Sequence, residues 1–161
     1  FIPPDEMLKV FPDDRVMVCI KPAKDNKTIA DIEKLVDSPL GDFTGRCVTK
    51  GKAVFVEPDL PQLNRWLFIP PHARNGVKEG DLIRCAVLRH PIKDGKPQAK
   101  VLEIIGISEE SFDDAVSQAV AKASETIDGI SGVEVVSQTA RVKDGKVTQY
   151  HATVKLAFAV K

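Results

Sequence analysis

The chain of 161 residues has little of what would assign it quickly: one Trp, one Tyr, three Cys and no surplus of charge, with 23 Lys+Arg against 23 Asp+Glu. No apolar run approaches the ~20 residues that a membrane-spanning helix needs. The start Phe1-Ile2-Pro3-Pro4 carries neither the basic nor the apolar region of an export signal. Membrane insertion and export are therefore not expected. Cys19, Cys47 and Cys85 are odd in number, far apart and embedded in apolar, strand-like stretches, unlike the dense pairs of a disulfide scaffold. They are expected to be reduced core thiols of a cytoplasmic protein. What is present is globular in kind: 43% hydrophobic and 29% charged residues exclude the low-hydrophobicity profile of a disordered chain.

The balance of charge hides a segregation. Residues 1 to 43 hold six basic and nine acidic side chains, residues 44 to 98 hold ten and five, and residues 99 to 161 hold seven and nine. A basic module of net charge +5 thus lies between two acidic ones. There is also an internal repeat. Phe1-Ile2-Pro3-Pro4 returns as Phe68-Ile69-Pro70-Pro71, an offset of 67 that also sets Asp14 on Asp81 and Val16 to Ile20 on Ile83 to Val87. A start without Met, partway through a repeat unit, reads as a fragment or cleavage product.

In the second copy more of the unit is visible. Strand-like runs at Gly45 to Thr49, Ala53 to Val56, Trp66 to Ile69, Leu82 to Leu88 and Ala99 to Ile105 are separated by Gly, Pro, Asp and Asn punctuation. Five short strands in so little sequence point to a small closed barrel of the OB type. The first copy lacks the two leading strands. Between the copies, Thr28-Ile29-Ala30-Asp31 resembles a capping box opening a helix through Ile32, Leu35 and Val36 that stops at Ser38-Pro39. Residues 1–43 are thus expected to be a partial barrel and a helical connector, and 44–98 the full barrel.

An OB barrel binds single-stranded nucleic acid where aromatic platforms meet a basic groove. Phe55, Trp66 and Phe68 are the candidate platforms, and Trp66 and Phe68, two apart on a strand, share a face. Lys50, Lys52, Arg65, Arg74, Lys78, Arg84 and Arg89 surround them and would supply the salt-dependent phosphate contacts. Taken singly, each aromatic reads more naturally as core. The combination with the basic surplus turns the module toward single-stranded RNA. The run from Gly51 through Pro71, with Gly80-Asp81-Leu82-Ile83 and Arg89-His90-Pro91, resembles the second cold-shock domain of bacterial ribonuclease II, and Phe1 to Ile20 resembles the end of the first. The resemblance covers residues 1–105 and implies contact with single-stranded RNA. It does not imply cleavage, because that family's catalytic domain, with its metal-binding aspartates, follows the barrels and no such cluster occurs after Ile105. No metal site and no catalytic residue is expected.

After Gly106 the period changes from strand to helix. Ser111 with Asp114 is a capping-box variant, and Val116, Ala119, Val120, Ala123, Ile127 and Ile130 form a narrow stripe ended by Gly129 and Gly132. Two long strands, Val133 to Val142 and Val147 to Val160, are joined at Asp144-Gly145, a type I′ signal. With Lys100 to Ile105 in front, the expected unit is β-α-β-β, and the fold class is α+β: an OB-type barrel, preceded by part of another, plus this unit over 99–161. A unit this small commonly needs a partner. Lys100-Val101-Leu102-Glu103-Ile104-Ile105-Gly106, Ser111-Phe112, Ala119, Ala123-Ser124, Val133-Glu134-Val135, Asp144-Gly145-Lys146-Val147 and Val154 to Phe158 resemble the dodecins. The resemblance implies a homododecamer that in many members holds flavin. At the two positions where flavin-binding members carry the stacking Trp and a Gln, this chain has Gly132 and His151. A flavin loses its stacking partner there, so a shell without flavin is the preferred expectation.

Ala99 to Gly106 is claimed by both units. Either one lacks a strand, or the strand bridges both, or the two are joined at a locally similar segment; the expectation is that the dodecin-like unit keeps the strand and the barrel stays partly open. Three readings of function follow: an RNA-binding module multimerised by its C-terminal unit, a flavin- or small-ligand-binding shell with a passenger barrel, and the N-terminal part of an exoribonuclease without its catalytic domain.

Overall fold

Alternating apolar and polar residues lay most of the chain down as strands. The computed structural model describes residues 1–159, with a two-stranded sheet near the N-terminus and one seven-stranded sheet through the rest.

The N-terminal sheet is a hairpin of β1 (Arg15–Pro22) and β2 (Thr28–Asp37). The helical connector expected at Thr28 to Val36 is this second strand. Asp25 and Asn26 adopt φ of 62° and 55°, the left-handed pair of a type I′ turn, and Ala23 N donates to Lys27 O at 2.8 Å. The turn sends Ile29, Ile32 and Leu35 back along an apolar partner strand, and pairing with it outweighs their helix-like spacing. The repeat is structural as well as sequential. β1 lies 67 residues before β6 (Leu82–Arg89) at both ends, and the helical turn α1 (Pro4–Met7) precedes it as the 3-10 turn Pro71–Ala73 precedes β6. Phe11 N donates to Asp14 Oδ2 at 2.6 Å, and at the same offset Lys78 N donates to Asp81 Oδ2 at 2.9 Å. Among the described residues β1 pairs with β2 alone, whereas β6 has a strand on each side. Val18 is 40% exposed, whereas its equivalent Cys85 is fully buried.

The second copy is a closed barrel. β3 (Phe43–Lys50), β4 (Ala53–Pro58), β5 (Leu67–Phe68), β6 and β7 (Gln98–Ser108) run in the order β5-β4-β3-β6-β7, and a parallel contact of Phe68 with Gln98 joins β5 to β7. Val54, Val56, Leu67, Ile69, Ile83, Cys85 and Val101 fill the interior.

The closure corrects the expectation of a partly open barrel. β7 pairs with β6 from Gln98 to Ile105, and with β9 (Lys146–Phe158) from Ile104 to Ser108. The strand serves both units by length and by face. Its odd positions Ala99 and Val101 enter the barrel core, while Gly106 and Ser108 turn to the helix α2 (Phe112–Ser124). The unit is β7-α2-β8-β9, with β8 (Ile130–Lys143) at the sheet edge. Ser111 caps α2, its Oγ accepting from Asp114 N at 3.0 Å. The apolar stripe runs past the helix end. The helix ends at Ser124, where Thr126 N and Ile127 N both donate to Ala123 O at 3.1 and 2.9 Å and the Thr126 hydroxyl lies within reach of Ala123 O and of Gly76 O of the barrel; Ile130 and Gly132 fall in β8. Asp144 and Gly145, at φ of 52° and 75°, make the expected hairpin turn. No described helix is long and apolar enough to cross a membrane.

Candidate nucleic-acid interface

The core strands decide where the aromatics go. Val54 and Val56 on β4, and Leu67 and Ile69 on and after β5, point inward, so the residues between them, Phe55 and Phe68, point out. Antiparallel pairing sets these two opposite each other, with ring centroids 5.7 Å apart at 67°. Trp66 joins them, 5.9 Å from Phe55. All three rings are half-buried, packed on one side and open on the other. Lys50 Nζ sits 4.5 Å from the indole centroid, a cation–π contact that sets a positive charge at the shelf's edge. Phe55, Trp66 and Phe68 open onto a cleft of about 400 Å³ that also meets Arg65, Arg89, Lys96 and Gln98. Lys96 and Gln98 were not among the sequence candidates. They follow the Asp94-Gly95 turn and open the last barrel strand, and only closure of β7 on β5 brings them to the shelf.

The predicted cations divide. Lys50 and Arg89 lie at the shelf, although Arg89 also pairs with Asp94 at 2.8 Å. Arg65 is at the shelf but spends its fork on the backbone. It donates to Leu8 O at 2.6 Å and Gly95 O at 2.9 Å, stapling the first copy to the second, and burial pulls its guanidinium below the ordinary value. Lys52 is exposed in the β3–β4 turn, its carbonyl accepting from Arg74 Nη2. Three residues do other work. Arg74 Nε donates to Ile69 O at 3.0 Å; Lys78 pairs with Glu125 of α2; Arg84 holds Asp42 and the buried Glu103, each at 2.8 Å.

A similar coupling recurs between modules. Asp14 receives His90 Nε2 at 2.8 Å and the Ser38 hydroxyl, while its repeat equivalent Asp81 lies 3.4 Å from Lys122 of α2. Each turn acid is thus held by the module that follows.

Gly132 and His151 share one face of the β8–β9 hairpin but not one site. Gly132 is opposite Ala157 and His151 opposite Thr139, so six residues of β9, or ~20 Å at strand rise, separate the two positions. His151 bonds Gln149 at 2.8 Å, and burial first, then Arg141, hold its ring below the ordinary value. Among the described residues no group of three or more His, Cys, Asp or Glu side chains is placed to hold a metal ion. Burial pushes the Cys47 and Cys85 thiols up to about 11 and about 12, the chemistry of inert core thiols.

The family model for the cold shock domain matches residues 55–114, and the Dodecin model matches residues 99–161. The two matches overlap across β7, the strand that both units use. Exoribonuclease 2 of Escherichia fergusonii is 35% identical over 117 residues and that of Klebsiella pneumoniae 34%, each alignment covering 70% of this chain. The chain spans only 18% of the length of these relatives. By sequence and by architecture, residues 1–105 resemble the cold-shock domains of bacterial exoribonuclease 2 proteins, and residues 99–161 resemble the dodecins.

Proposed function

We propose that the chain binds single-stranded RNA on the Phe55–Trp66–Phe68 shelf and is multimerised by its C-terminal unit, without turning RNA over. One observation carries the reading: three aromatic rings stand together on the outside of a barrel whose interior already holds the buried rings of Phe11 and Phe43 among aliphatic side chains and two thiols. A ring needed for packing would sit inside; rings outside, edged by Lys50, Arg89 and Lys96, offer faces for bases and charges for phosphates. The domains we assign are 1–43, 44–98 and 99–161, with β7 bridging the last two. A cytoplasmic setting accords with the three free cysteines.

Multimerisation is supported by what the C-terminal unit lacks. The cluster under its helix is Ala115, Ala119, Ala152 and Val154, with Ala123, Ile104 and Ile105 also buried, and Val133, Val135 and Val136 on the edge strand are 43%, 41% and 41% exposed. A small core beside a long open edge strand is the condition that partners relieve; the dodecin likeness makes twelve copies the expected number. The storage reading keeps one point in its favour, the half-buried His151 on the open sheet face, but Gly132 supplies no ring to stack a flavin.

The test is a fluorescence titration of a labelled single-stranded RNA. The native chain binds at low salt and releases as salt rises. Trp66→Ala weakens binding about tenfold or more, since one stacked base is worth about 1–3 kcal/mol. No binding at low salt, or an unchanged affinity in Trp66→Ala, rejects the reading.

A further inference from the structure

The aromatic cleft does not end at the barrel. Trp66 and Arg65 are also part of the wall of a second cleft, of about 560 Å³, which runs along the outside of the barrel to Glu57 and Pro58. Glu57 and Pro58 in turn border a third, of about 620 Å³, that neither unit forms alone. Its floor is Leu82, Ile105 and Ile107 on the shared sheet. One wall is the barrel rim with Arg46, and the other is the β8–β9 hairpin with Arg141 and His151. The three depressions are linked in series by shared walls, from Gln98 at the shelf to Arg141 on the hairpin.

The chemistry along this track changes in a definite way. The first stretch is aromatic, suited to base faces. The last is hydrogen-bonding: Arg46 and Arg141 line the cleft from opposite units; Arg46 Nη1 donates to the Gly80 carbonyl at 3.0 Å, and neither guanidinium is paired with a carboxylate among the described residues. Ser137, Thr139 and Thr153 add hydroxyls beside the apolar floor. Glu57 and Asp59 lie at the bend, where carboxylates accept from base amino groups but repel phosphates. A chain that carries bases and phosphates in alternation can satisfy both kinds of wall.

We infer that the dodecin-like unit is itself part of the RNA-binding surface: a single strand seated on the aromatic shelf continues along the barrel into the junction cleft, where Arg46 and Arg141 take its phosphates. The inference rests on the shelf reading and extends it. Assembly and binding are then not separate duties of two modules, because the cleft exists only where β7 joins them.

Length of RNA separates the two claims. Fluorescein-labelled oligouridylates of four and twelve nucleotides are titrated against the full chain, Trp66→Ala and Arg141→Ala, at fixed low salt. Four nucleotides is the lower end of the site sizes seen for one OB barrel. Trp66→Ala weakens both oligomers. Arg141→Ala leaves the four-mer unchanged and weakens the twelve-mer about tenfold, the loss of a phosphate contact. Light scattering on each variant reports whether the assembly is intact. As a second measurement, a twelve-mer carrying 4-thiouridine is photo-crosslinked to the native chain, and adducts are expected on peptides spanning Ser137 to Thr153. An unchanged twelve-mer affinity in Arg141→Ala, or adducts confined to the barrel, overturns the inference while leaving the shelf in place. Failure of both oligomers to bind overturns the shelf and the inference together.

Discussion

Gly106→Ala tests how the helix of the C-terminal unit is seated. Gly106 lies in the part of β7 that passes under α2, and a Cβ there would fall 1.8 Å from the Ala115 carbonyl oxygen and 2.9 Å from the Ala119 Cβ. Both obstacles belong to the helix, and one is backbone, so no side chain can swing aside. Recovering an ordinary contact of 3.4 Å requires α2 to retreat by roughly 1.5 Å. That would open the interface of Ala115, Ala119, Ala152 and Val154 along its length. Overpacking of this kind costs typically about 1–3 kcal/mol, and a backbone clash places it at the upper end, about 3 kcal/mol. With an unfolding slope near ~2 kcal/mol per molar urea, the midpoint falls by about 1.5 M. Equilibrium urea unfolding, followed by the far-ultraviolet signal, reads this directly. On the proposed function, the folded fraction still binds a four-nucleotide RNA, since Phe55, Trp66 and Phe68 sit on the barrel. A loss below about 0.5 kcal/mol would refute the packing of α2 on β7 described above.

Glu103→Ala removes the buried partner of Arg84, a charge-assisted pair at 2.8 Å, and leaves Arg84 with only the more exposed Asp42. We expect a loss of about 2 kcal/mol in urea unfolding, and a neutral result would contradict the pairing. His151 has a folded-state value depressed below 6.5, so the stability it permits is complete above that pH and declines as pH falls through it. Between about pH 7.5 and 5.5 the melting temperature of the native chain should therefore fall more than that of His151→Gln; equal slopes would show that the ring is not held in its neutral form. Cys47 and Cys85 are fully buried and Cys19 is half-buried. An aromatic disulfide reagent should modify one thiol in the native protein and all three in urea, and three fast-reacting thiols would place the barrel core wrongly.

How much of this was legible in the chain depended on whether a signal was local. The capping serine Ser111, the Asp144-Gly145 turn and the alternation in β9 specify their own conformations, and each is found where the residues place it. The repeat was legible too, because Asp14 and Asp81 carry the same turn at the same offset. What failed was non-local. Residues 28–37 have a helix-like spacing, and only the partner strand β1, brought back by the Asp25-Asn26 turn, makes them β. Of the three readings open for Ala99 to Gly106, the expected one, a strand kept by the dodecin-like unit, gives way to the bridging one, because the two halves of β7 pair with different units.

The candidate site was half visible for the same reason. Phe55, Trp66 and Phe68 could be picked by type, but which way they face follows from Val54, Val56, Leu67 and Ile69 taking the interior. Charge alone does not separate a phosphate contact from a structural cation. Arg65, Arg74, Lys78 and Arg84 are bound to carbonyls and carboxylates that lie 5 to 57 residues away, and sequence proximity to the shelf says nothing of those partners. Lys96 and Gln98 reach the shelf only through barrel closure.

The proposed function joins two properties in one molecule, a shelf that holds RNA and a unit that gathers copies of it. Sedimentation of the native chain with a trace of labelled single-stranded RNA at low salt measures both at once. The RNA is expected to travel with an assembly many times the mass of one chain and to leave that assembly when salt is raised. RNA that stays at the meniscus, or that moves with a single chain, contradicts the proposed function.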